Sequence, residues 1–266
     1  MVPTSPGDYL ALINGNNHRR GEPPPKENGM KQLNGENLVL IGSTGGIGSA
    51  ILDQLDNHTV NLALASNQPD LLEKQVASQE QKGRTVIAQE LDVTDEEAVQ
   101  EFLTRAKSRL GYLNVLINLA GLSIPGKVQD LPVEKFDLMM DVNVKGTFLA
   151  SKHYLQLAEE DKGGLIINFA SAASKRANGN APLYCASKAA VTMLSQATQI
   201  NALEKNVRVT NVCPAATDSP FWGDRKVPRE LFLKTVDVAE VIYFILSRDN
   251  HIVIQDIEFE SLARLK

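Results

Sequence analysis

The fold of this chain is decided by one stretch, Leu38-Val39-Leu40-Ile41-Gly42-Ser43-Thr44-Gly45-Gly46-Ile47-Gly48. Its apolar start is short enough for a strand buried in a parallel sheet, and the glycines behind it predict a tight turn that leads into a helix. Glycine lets a phosphate approach the backbone N–H groups of such a turn, and the N-terminus of a helix attracts negative charge. The order Gly-x-x-x-Gly-x-Gly differs from the usual dinucleotide fingerprint. The pattern alone therefore fits either a nucleotide site or an ordinary glycine-rich turn.

A second group of polar residues lies later in the chain. Tyr184 and Lys188 are four residues apart, and Ser171 lies thirteen residues before the tyrosine. On a helix, positions i and i+4 share one face, so the phenol and the ammonium can meet. A nearby cation is expected to lower the pKa of Tyr184, which makes this residue a candidate acid or base for a carbonyl or alcohol oxygen that Ser171 holds. A solvated helix with a chance tyrosine and lysine is the other interpretation.

Apolar strands and helices alternate from residue 37 onward. Strands are predicted at 37–41, 60–65, 85–90, 113–118, 164–170, 207–213 and, last, 251–257. Helices are predicted at 46–56, 70–82, 95–109, 134–160, 181–204 and 237–248. This alternation predicts an α/β fold, a doubly wound parallel sheet (Rossmann-like) with helices on both faces, in a single domain. Ligands bind such sheets at the carboxyl ends of the strands, where the candidate residues are expected to meet.

The composition argues against several other classes of protein. The 266 residues carry a net charge of −5, and no lysine or arginine cluster of the kind that binds nucleic acid is present. The four histidines are scattered, and the spacing of a zinc site is missing, so no metal is expected. The two cysteines, Cys185 and Cys213, are expected to be free thiols in a reducing compartment, which predicts a cytoplasmic protein.

The first 29 residues differ from the rest of the chain. They are rich in Gly, Asn, Pro and charged residues and show little apolar periodicity. Such a segment buries too little surface to offset its ordering entropy, so residues 1–29 are predicted to be a disordered extension of a domain at 30–266. The segment lacks the pattern of a secretory signal, and its apolar run at 9–13 is too short to span a membrane.

Taken together, these motifs resemble the short-chain dehydrogenases/reductases, in the compact branch that includes 3-oxoacyl carrier-protein reductases. The resemblance extends over about residues 30–220, and its motifs follow the family's order: the glycine turn, Asp92-Val93, Asn118-Leu119-Ala120-Gly121, Asn143, Ser171, Tyr184 with Lys188, and the segment that opens at Pro214. The chain departs from the family pattern at Ile41, Leu119, Ala215 and Ser219. These departures leave the catalytic group intact.

The resemblance implies an NAD(P)-dependent oxidoreductase that interconverts a small carbonyl and its alcohol. The implied catalytic residues are Tyr184, Lys188, Ser171 and Asn143, the last supporting a water relay. The implied cofactor residues include the tyrosine and the lysine together with Gly42, Ser43, Thr44, Gly46, Ile47, Gly48, Ser66, Asn67, Asp92, Val93, Asn118, Ala120, Gly121, Pro214, Thr217 and Ser219. A homo-oligomer, dimer or tetramer, is expected. Phe221 and Trp222 fall in the region that covers the substrate in the family, where they either face the substrate or pack beneath the cover.

The end of the second strand bears on the choice between NADP and NAD. NAD-preferring members usually carry an acid there that binds the ribose hydroxyls, whereas this chain has Ser66 and Asn67. The missing acid removes repulsion against a 2′-phosphate, and both side chains are expected to donate hydrogen bonds to it. No arginine is present to pair with the phosphate. NADP is therefore favoured, and NAD stays possible.

Two other functions stay open at this point. One is a member of the same fold that has lost catalysis and acts as a nucleotide sensor or scaffold, although the full set of catalytic residues argues against it. The other is an epimerase or dehydratase acting on a nucleotide-bound sugar, which also uses Tyr-x-x-x-Lys. Those enzymes tend to be longer and to carry a separate substrate domain.

Overall fold

The computed structural model describes residues 26–27 and 30–266, and its centre is a sheet of seven parallel strands. The strand order across the sheet is β7-β6-β5-β4-β1-β2-β3. The strands are β1 Asn37–Ile41, β2 Asn61–Ser66, β3 Val86–Glu90, β4 Val115–Asn118, β5 Gly164–Phe169, β6 Val207–Pro214 and β7 Asp256–Phe259. The chain therefore winds outward in one direction from β1 to β3, and in the other from β4 to β7. This order confirms the predicted doubly wound fold and puts its switch point between β1 and β4.

Helices cover both faces of the sheet. They are α1 Gly46–Gln54, α2 Pro69–Gln81, α3 Glu96–Leu110, α4 Val133–Met140, α5 Gly146–Leu157, α6 Pro182–Ala202, α7 Thr235–Leu246 and the short α8 Leu262–Leu265. Alternate residues of β1 point to opposite faces, since Leu38 and Leu40 belong to one apolar cluster and Val39 and Ile41 to the other. The strands read as continuous apolar runs because they are buried on both faces.

The helix predicted at 134–160 is not regular along its length. A π-helical turn, Asp141–Lys145, joins α4 to α5. Single π turns inside α-helices occur often at functional sites, and this one carries Asn143, which is fully buried.

The last strand lies later than the sequence predicted. The prediction at 251–257 followed an apolar run, but Ile252 and Val253 are exposed in a loop. The buried guanidinium of Arg208 on β6 donates to the carbonyl oxygen of Ile252 at 3.1 Å and holds that loop beside the sheet. Pairing with β6 begins only at Asp256, opposite Asn211. As a result, β7 brings acidic residues rather than the apolar run into the sheet.

The N-terminal boundary is only partly described. Lys26–Glu27 pair antiparallel with Met30–Lys31, although residues 26–27 belong to the extension predicted to be disordered. The backbone N–H of Lys31 donates to the carbonyl oxygen of Ser247 at 3.0 Å, which ties this pair to the end of α7. Residues 1–25 and 28–29 lie outside the described part of the chain, so the division at residue 30 stays a prediction.

Candidate active site

A cavity of about 1320 Å³ opens at the carboxyl ends of the strands. It is bordered by the ends of β1, β2, β5 and β6, including Ile41, Ser66, Phe169 and Pro214. Most of the residues proposed from the sequence line it: Gly42, Thr44, Gly46, Ile47, Gly48, Ser66, Asn67, Asp92, Val93, Ala120, Gly121, Ser171, Tyr184, Lys188, Pro214, Thr217 and Ser219. Segments far apart in the sequence therefore meet in one cavity, as the parallel fold predicts.

The glycine turn is packed too closely for side chains. A Cβ on Gly42, whose φ is +86°, would lie 2.7 Å from the backbone nitrogen of Ala120. A Cβ on Gly48 would lie 2.3 Å from the carbonyl oxygen of Ser43. Because these positions carry no side chain, the turn can pack against the loop after β4, and α1 can begin directly behind the turn.

The start of α1 suits a phosphate. Its N-cap is Gly45, and no side chain caps the helix. The first N–H groups of a helix have no partner within the helix, and Gly46, Ile47 and Gly48 line the cavity. Backbone donors at the positive end of the helix therefore face the cavity, and the residues present fit the diphosphate of a dinucleotide.

Three residues proposed from the sequence do not line the cavity. The side chain of Ser43 is fully buried, and its carbonyl accepts from Gln75 Nε2 at 2.9 Å. Asn118 is also buried and donates to Asn168 Oδ1 at 2.8 Å, joining β4 to β5 below the cavity. The side chains of Ser43 and Asn118 are therefore turned away from the cavity, and the cofactor-binding role expected of these two positions stays a prediction. Both residues instead support the wall of the cavity from inside the protein.

Asn143 is the third of these residues, and its role is to hold two elements together. Its Oδ1 accepts from the backbone N–H of Leu122 at 2.8 Å, and its Nδ2 donates to Leu122 O at 3.0 Å and to Ser187 Oγ at 2.9 Å. The π turn thus fixes the loop after β4 to α6 beside Lys188. The water relay implied for Asn143 stays a prediction.

A hydroxyl cluster occupies the end of β2. Thr44 Oγ1 and Ser66 Oγ are 2.6 Å apart, and Ser66 Oγ accepts from the backbone N–H of Gln68 at 3.1 Å. Thr44 Oγ1 also donates to Gln68 Oε1 at 3.1 Å. The sequence reading missed Gln68, although it stands two residues after Ser66. Ser66 is thus engaged within the protein, whereas Asn67 is exposed and lines the cavity.

Ser171 and Tyr184 meet above the end of β5. Ser171 follows β5, and its Oγ accepts from the backbone N–H of Ala173 at 3.1 Å. Tyr184 lies in the first turn of α6 and is hydrogen-bonded to Ser171. Burial raises the pKa of the Tyr184 phenol to about 12, and the bond to Ser171 offsets only part of that rise. The phenol is therefore protonated at neutral pH.

Lys188 lies one helical turn further along α6 and is buried. Its ammonium donates to the carbonyl oxygen of Phe169 at 2.7 Å and lies 5.8 Å from the ring centre of Tyr184. Burial lowers the pKa of Lys188 to about 8. The predicted lowering of the Tyr184 pKa by Lys188 is not found in the protein without cofactor, because burial of the phenol raises that pKa instead.

The substrate end of the cavity is covered by the segment from Thr217 to Phe232. This segment is closed by a two-residue pairing of Thr217–Asp218 with Leu233–Lys234. Phe221 faces Tyr184, with ring centres 5.9 Å apart. Trp222 packs on Phe232 at 5.0 Å, and both rings also line the cavity. Phe221 thus faces Tyr184, while Trp222 both packs on Phe232 and lines the cavity.

An ion-pair network closes the other side of the substrate end. Arg176, just after Ser171, pairs with Glu258 at 2.9 Å and with Glu260 at 2.6 Å. Arg264 also pairs with Glu260, at 3.1 Å, and Lys175 pairs with Asp256 at 2.6 Å. The sequence does not reveal this network because its three acids lie some 80 residues beyond Lys175 and Arg176.

Other kinds of site receive no support from the described residues. No group of three or more His, Cys, Asp or Glu side chains among them is placed to hold a metal ion. Cys185 and Cys213 are free. Within the same part of the chain, no helix is both long and apolar enough to cross a membrane.

Comparison with known proteins gives the same assignment as the geometry. Residues 36–229 match the family model of the short chain dehydrogenases. An uncharacterized oxidoreductase of Staphylococcus saprophyticus is 31% identical over 229 residues, which cover 86% of this chain and 98% of the relative. An alcohol dehydrogenase from the archaeon Thermococcus sibiricus, complexed with 5-hydroxy-NADP, has a TM-score of 0.79 at 28% identity and covers 86% of this chain and 97% of its own.

A 7α-hydroxysteroid dehydrogenase complexed with NADH and 7-oxo glycochenodeoxycholic acid shares the fold, with a TM-score of 0.82 at 23% identity over 90% of this chain and 98% of its own. The order of the motifs, the sheet and the family match agree with one another. The chain therefore belongs to the short-chain dehydrogenase family of oxidoreductases.

Proposed function

We propose that this protein reduces a small carbonyl compound to its alcohol with NADPH, and that Tyr184 is the proton donor. The observation that carries the proposal is the meeting of Ser171, Tyr184 and Lys188 with an uncapped, glycine-rich helix start in one cavity. The three side chains are suited to a carbonyl oxygen, and the helix start is suited to a diphosphate.

The bound cofactor supplies the hydride. The N–H groups at the start of α1 hold its diphosphate, and Lys188 holds its nicotinamide ribose, as the family resemblance implies. Ser171 Oγ donates to the carbonyl oxygen and fixes it beside the Tyr184 hydroxyl. Tyr184 then gives its proton to that oxygen as negative charge develops on it. A pKa of about 12 keeps this proton on the phenol at neutral pH, so Tyr184 is in the form that can donate it.

The preference for NADPH rests on the end of β2. Thr44, Ser66 and Gln68 form a neutral cluster there, and Asn67 is exposed beside it. No carboxylate at this strand end repels a 2′-phosphate. No lysine or arginine lines this part of the cavity within the described residues, so the preference over NADH is expected to be modest.

We also propose that the protein is a homo-oligomer. Large apolar side chains are exposed on the neighbouring helices α4, α5 and α6, including Phe136, Phe148 and Met193 at 44%, 46% and 64%. Burial of such a face in a second copy removes it from water. Light scattering is expected to give at least a dimer, and Phe148→Glu is expected to shift it toward the monomer. A monomeric wild type would contradict the proposal.

The function is tested by the absorbance of NADPH at about 340 nm, against a panel of ketones, acyl thioesters and alcohols. Consumption with a ketone or thioester supports the reductase. Cofactor binding without turnover of any member would favour the sensor or scaffold alternative. Turnover confined to nucleotide sugars, with no net change in cofactor, would favour the epimerase. The absence of a separate substrate domain in the described chain argues against the last outcome.

A further inference from the structure

The cations around the substrate end of the cavity are not equivalent. Five basic residues line the cavity, namely Arg176, Lys188, Arg225, Lys226 and Arg264. Arg176 and Arg264 are neutralised by Glu258 and Glu260 in the ion-pair network. Lys188 is assigned to the cofactor in the proposed function. Arg225 and Lys226 remain, and neither pairs with an acid among the described residues.

Arg225 is held in a fixed position despite having no acidic partner. Its Nε donates to the carbonyl oxygen of Trp222 at 2.8 Å, and its Nη2 donates to the carbonyl oxygen of Phe221. Its guanidinium also lies over both rings, 5.3 Å from the centre of Phe221 and 4.9 Å from that of Trp222. The Nη1 donors make no hydrogen bond to any described residue. A guanidinium has a planar fork of donors that matches a carboxylate, and part of this fork is free.

Arg225 lies close to Tyr184, the proposed proton donor. Phe221 is close to both, because its ring centre lies 5.3 Å from the guanidinium carbon of Arg225 and 5.9 Å from the ring centre of Tyr184. The charge of Arg225 is close enough to lower the pKa of Tyr184, against the larger effect of burial. The carboxylates that line the cavity are Asp92, which follows β3, and Glu260, which is already paired. An anion beside Tyr184 would therefore meet an unneutralised cation.

We infer that the substrate is an oxo acid, whose carbonyl lies at Ser171 and Tyr184 and whose carboxylate binds Arg225. The inference rests on the proposed function and adds the class of substrate to it. Phe221 and Trp222 contact the carbon chain between the two polar groups. The carboxylate replaces an acidic partner that the protein itself does not provide. Desolvated pairs between guanidinium and carboxylate are among the stronger polar contacts in proteins.

Two other roles for Arg225 lead to different measurements. If the arginine serves only to stack on the aromatic rings and hold the cover in place, its loss weakens every substrate equally. If it binds a phosphate of the cofactor, its loss raises the KM for NADPH whatever the carbonyl compound. Only a carboxylate site changes the preference between an acid and its neutral ester.

The test compares pyruvate, acetoacetate and levulinate with their methyl esters. The variants are Arg225→Met, which keeps a long apolar side chain, and Arg225→Lys, which keeps the charge. Arg264→Met is the matched control, because this arginine also lines the cavity but has an acidic partner. For the best acid, kcat/KM relative to its ester is expected to fall about 10- to 100-fold in Arg225→Met. Arg225→Lys is expected to recover part of this preference, and Arg264→Met to leave it unchanged.

A binding measurement separates this inference from the proposed function. Calorimetry with the NADP⁺-loaded protein is expected to show levulinate bound at least about 10-fold more tightly than its methyl ester, with the difference lost in Arg225→Met. If that preference is found but no carbonyl compound is reduced, the carboxylate site stands and the reductase proposal fails. Equal binding of acid and ester by the wild type would overturn the inference. An unchanged acid-to-ester ratio in Arg225→Met would overturn it too, whether or not the KM for NADPH rises.

Discussion

The two ends of the cavity are built in different ways. At the cofactor end, the groups that face the ligand are backbone N–H groups at the start of α1, and the side chains behind them are buried in the sheet. At the substrate end, the groups are side chains on an irregular segment, such as Phe221 and Arg225, and on the residues that follow the C-terminal strand, such as Glu260. In the proposed function, the first end therefore recognises a feature common to all dinucleotides, while the second end sets the identity of the substrate.

The difference also predicts where substitutions act. A change at the cofactor end that alters the backbone is expected to affect both folding and cofactor binding. A change at the substrate end is expected to affect turnover while leaving the fold intact. Substitutions at the two ends therefore separate these effects.

Tyr184→Phe is expected to have the largest effect on turnover. The ring and its contact with Phe221 remain, but the proton donor is lost, so kcat is expected to fall by roughly 1000-fold or more. The affinity for NADPH, measured by fluorescence titration, is expected to stay within about twofold of the wild type because the glycine turn is untouched. Turnover close to that of the wild type would contradict the assignment of the proton donor.

The same division explains what the sequence predicted and what it did not. Gly42 and Gly48 could be identified because a tight turn after a strand requires glycine at those positions, whatever the rest of the protein does. Tyr184 and Lys188 could be paired because helical spacing is local. Arg225 and Glu260 could not, since their roles depend on how an irregular segment and the residues after the last strand are placed beside the cavity.

Two further differences have specific physical causes. Ser43 and Asn118 stand at motif positions, but the motif does not reveal which way a side chain points, and both point into the protein. The direction of the Tyr184 pKa was wrong because local spacing shows the nearby cation and cannot show the burial of the phenol.

Gly48→Ala is expected to disrupt the cofactor end as a whole. The new Cβ would lie 2.3 Å from the carbonyl oxygen of Ser43, which is backbone and cannot move without shifting the turn. A loss of about 2–4 kcal/mol in the free energy of unfolding is expected, with weaker binding of NADPH. Gly45→Ala is the matched control, because its Cβ would be 3.5 Å from the nearest backbone atom. Equal melting temperatures for the two variants would show that the turn is less rigid than its geometry indicates.

Lys188 lies where the cofactor end and the substrate end of the cavity meet. Lys188→Met tests its pKa through the pH dependence of the free energy of unfolding. Burial lowers the pKa of Lys188 in the folded protein from about 10.5 to about 8. The unfolded chain therefore binds more protons between these values, and the wild type gains stability from this group as the pH rises through that window. Below pH 8 the charged lysine destabilises the fold, by an amount on the order of 3 kcal/mol.

The methionine variant is therefore expected to be more stable than the wild type at neutral pH and in the absence of cofactor. Its advantage is expected to shrink as the pH approaches 10. Taking the difference between the two proteins removes the contribution of groups that titrate independently of Lys188. The Cys213 thiol, whose pKa burial raises, interacts with Lys188 and is therefore part of the measured difference. Urea denaturation at pH 7 and at pH 9.5 measures this difference. A difference that does not change with pH would mean that Lys188 keeps its ordinary pKa.

Ser66→Asp is expected to have the smallest effect, because it alters a preference without removing a contact that the fold needs. An aspartate at the end of β2 keeps an acceptor for the backbone N–H of Gln68, which now bonds to Ser66 Oγ. The negative charge of the carboxylate repels a 2′-phosphate, and its oxygens accept hydrogen bonds from the ribose hydroxyls. NADPH is therefore expected to bind about 10-fold more weakly and NADH more tightly, which reverses their order. Fluorescence titration of both cofactors measures the change.

The control is Ser66→Asn, which has nearly the same shape without the charge and is expected to leave the order unchanged. If the asparagine variant behaves like the aspartate variant, the effect is steric. If the wild type already prefers NADH, the neutral cluster of Thr44, Ser66 and Gln68 does not select the 2′-phosphate, and cofactor choice depends on some other part of this end of the cavity.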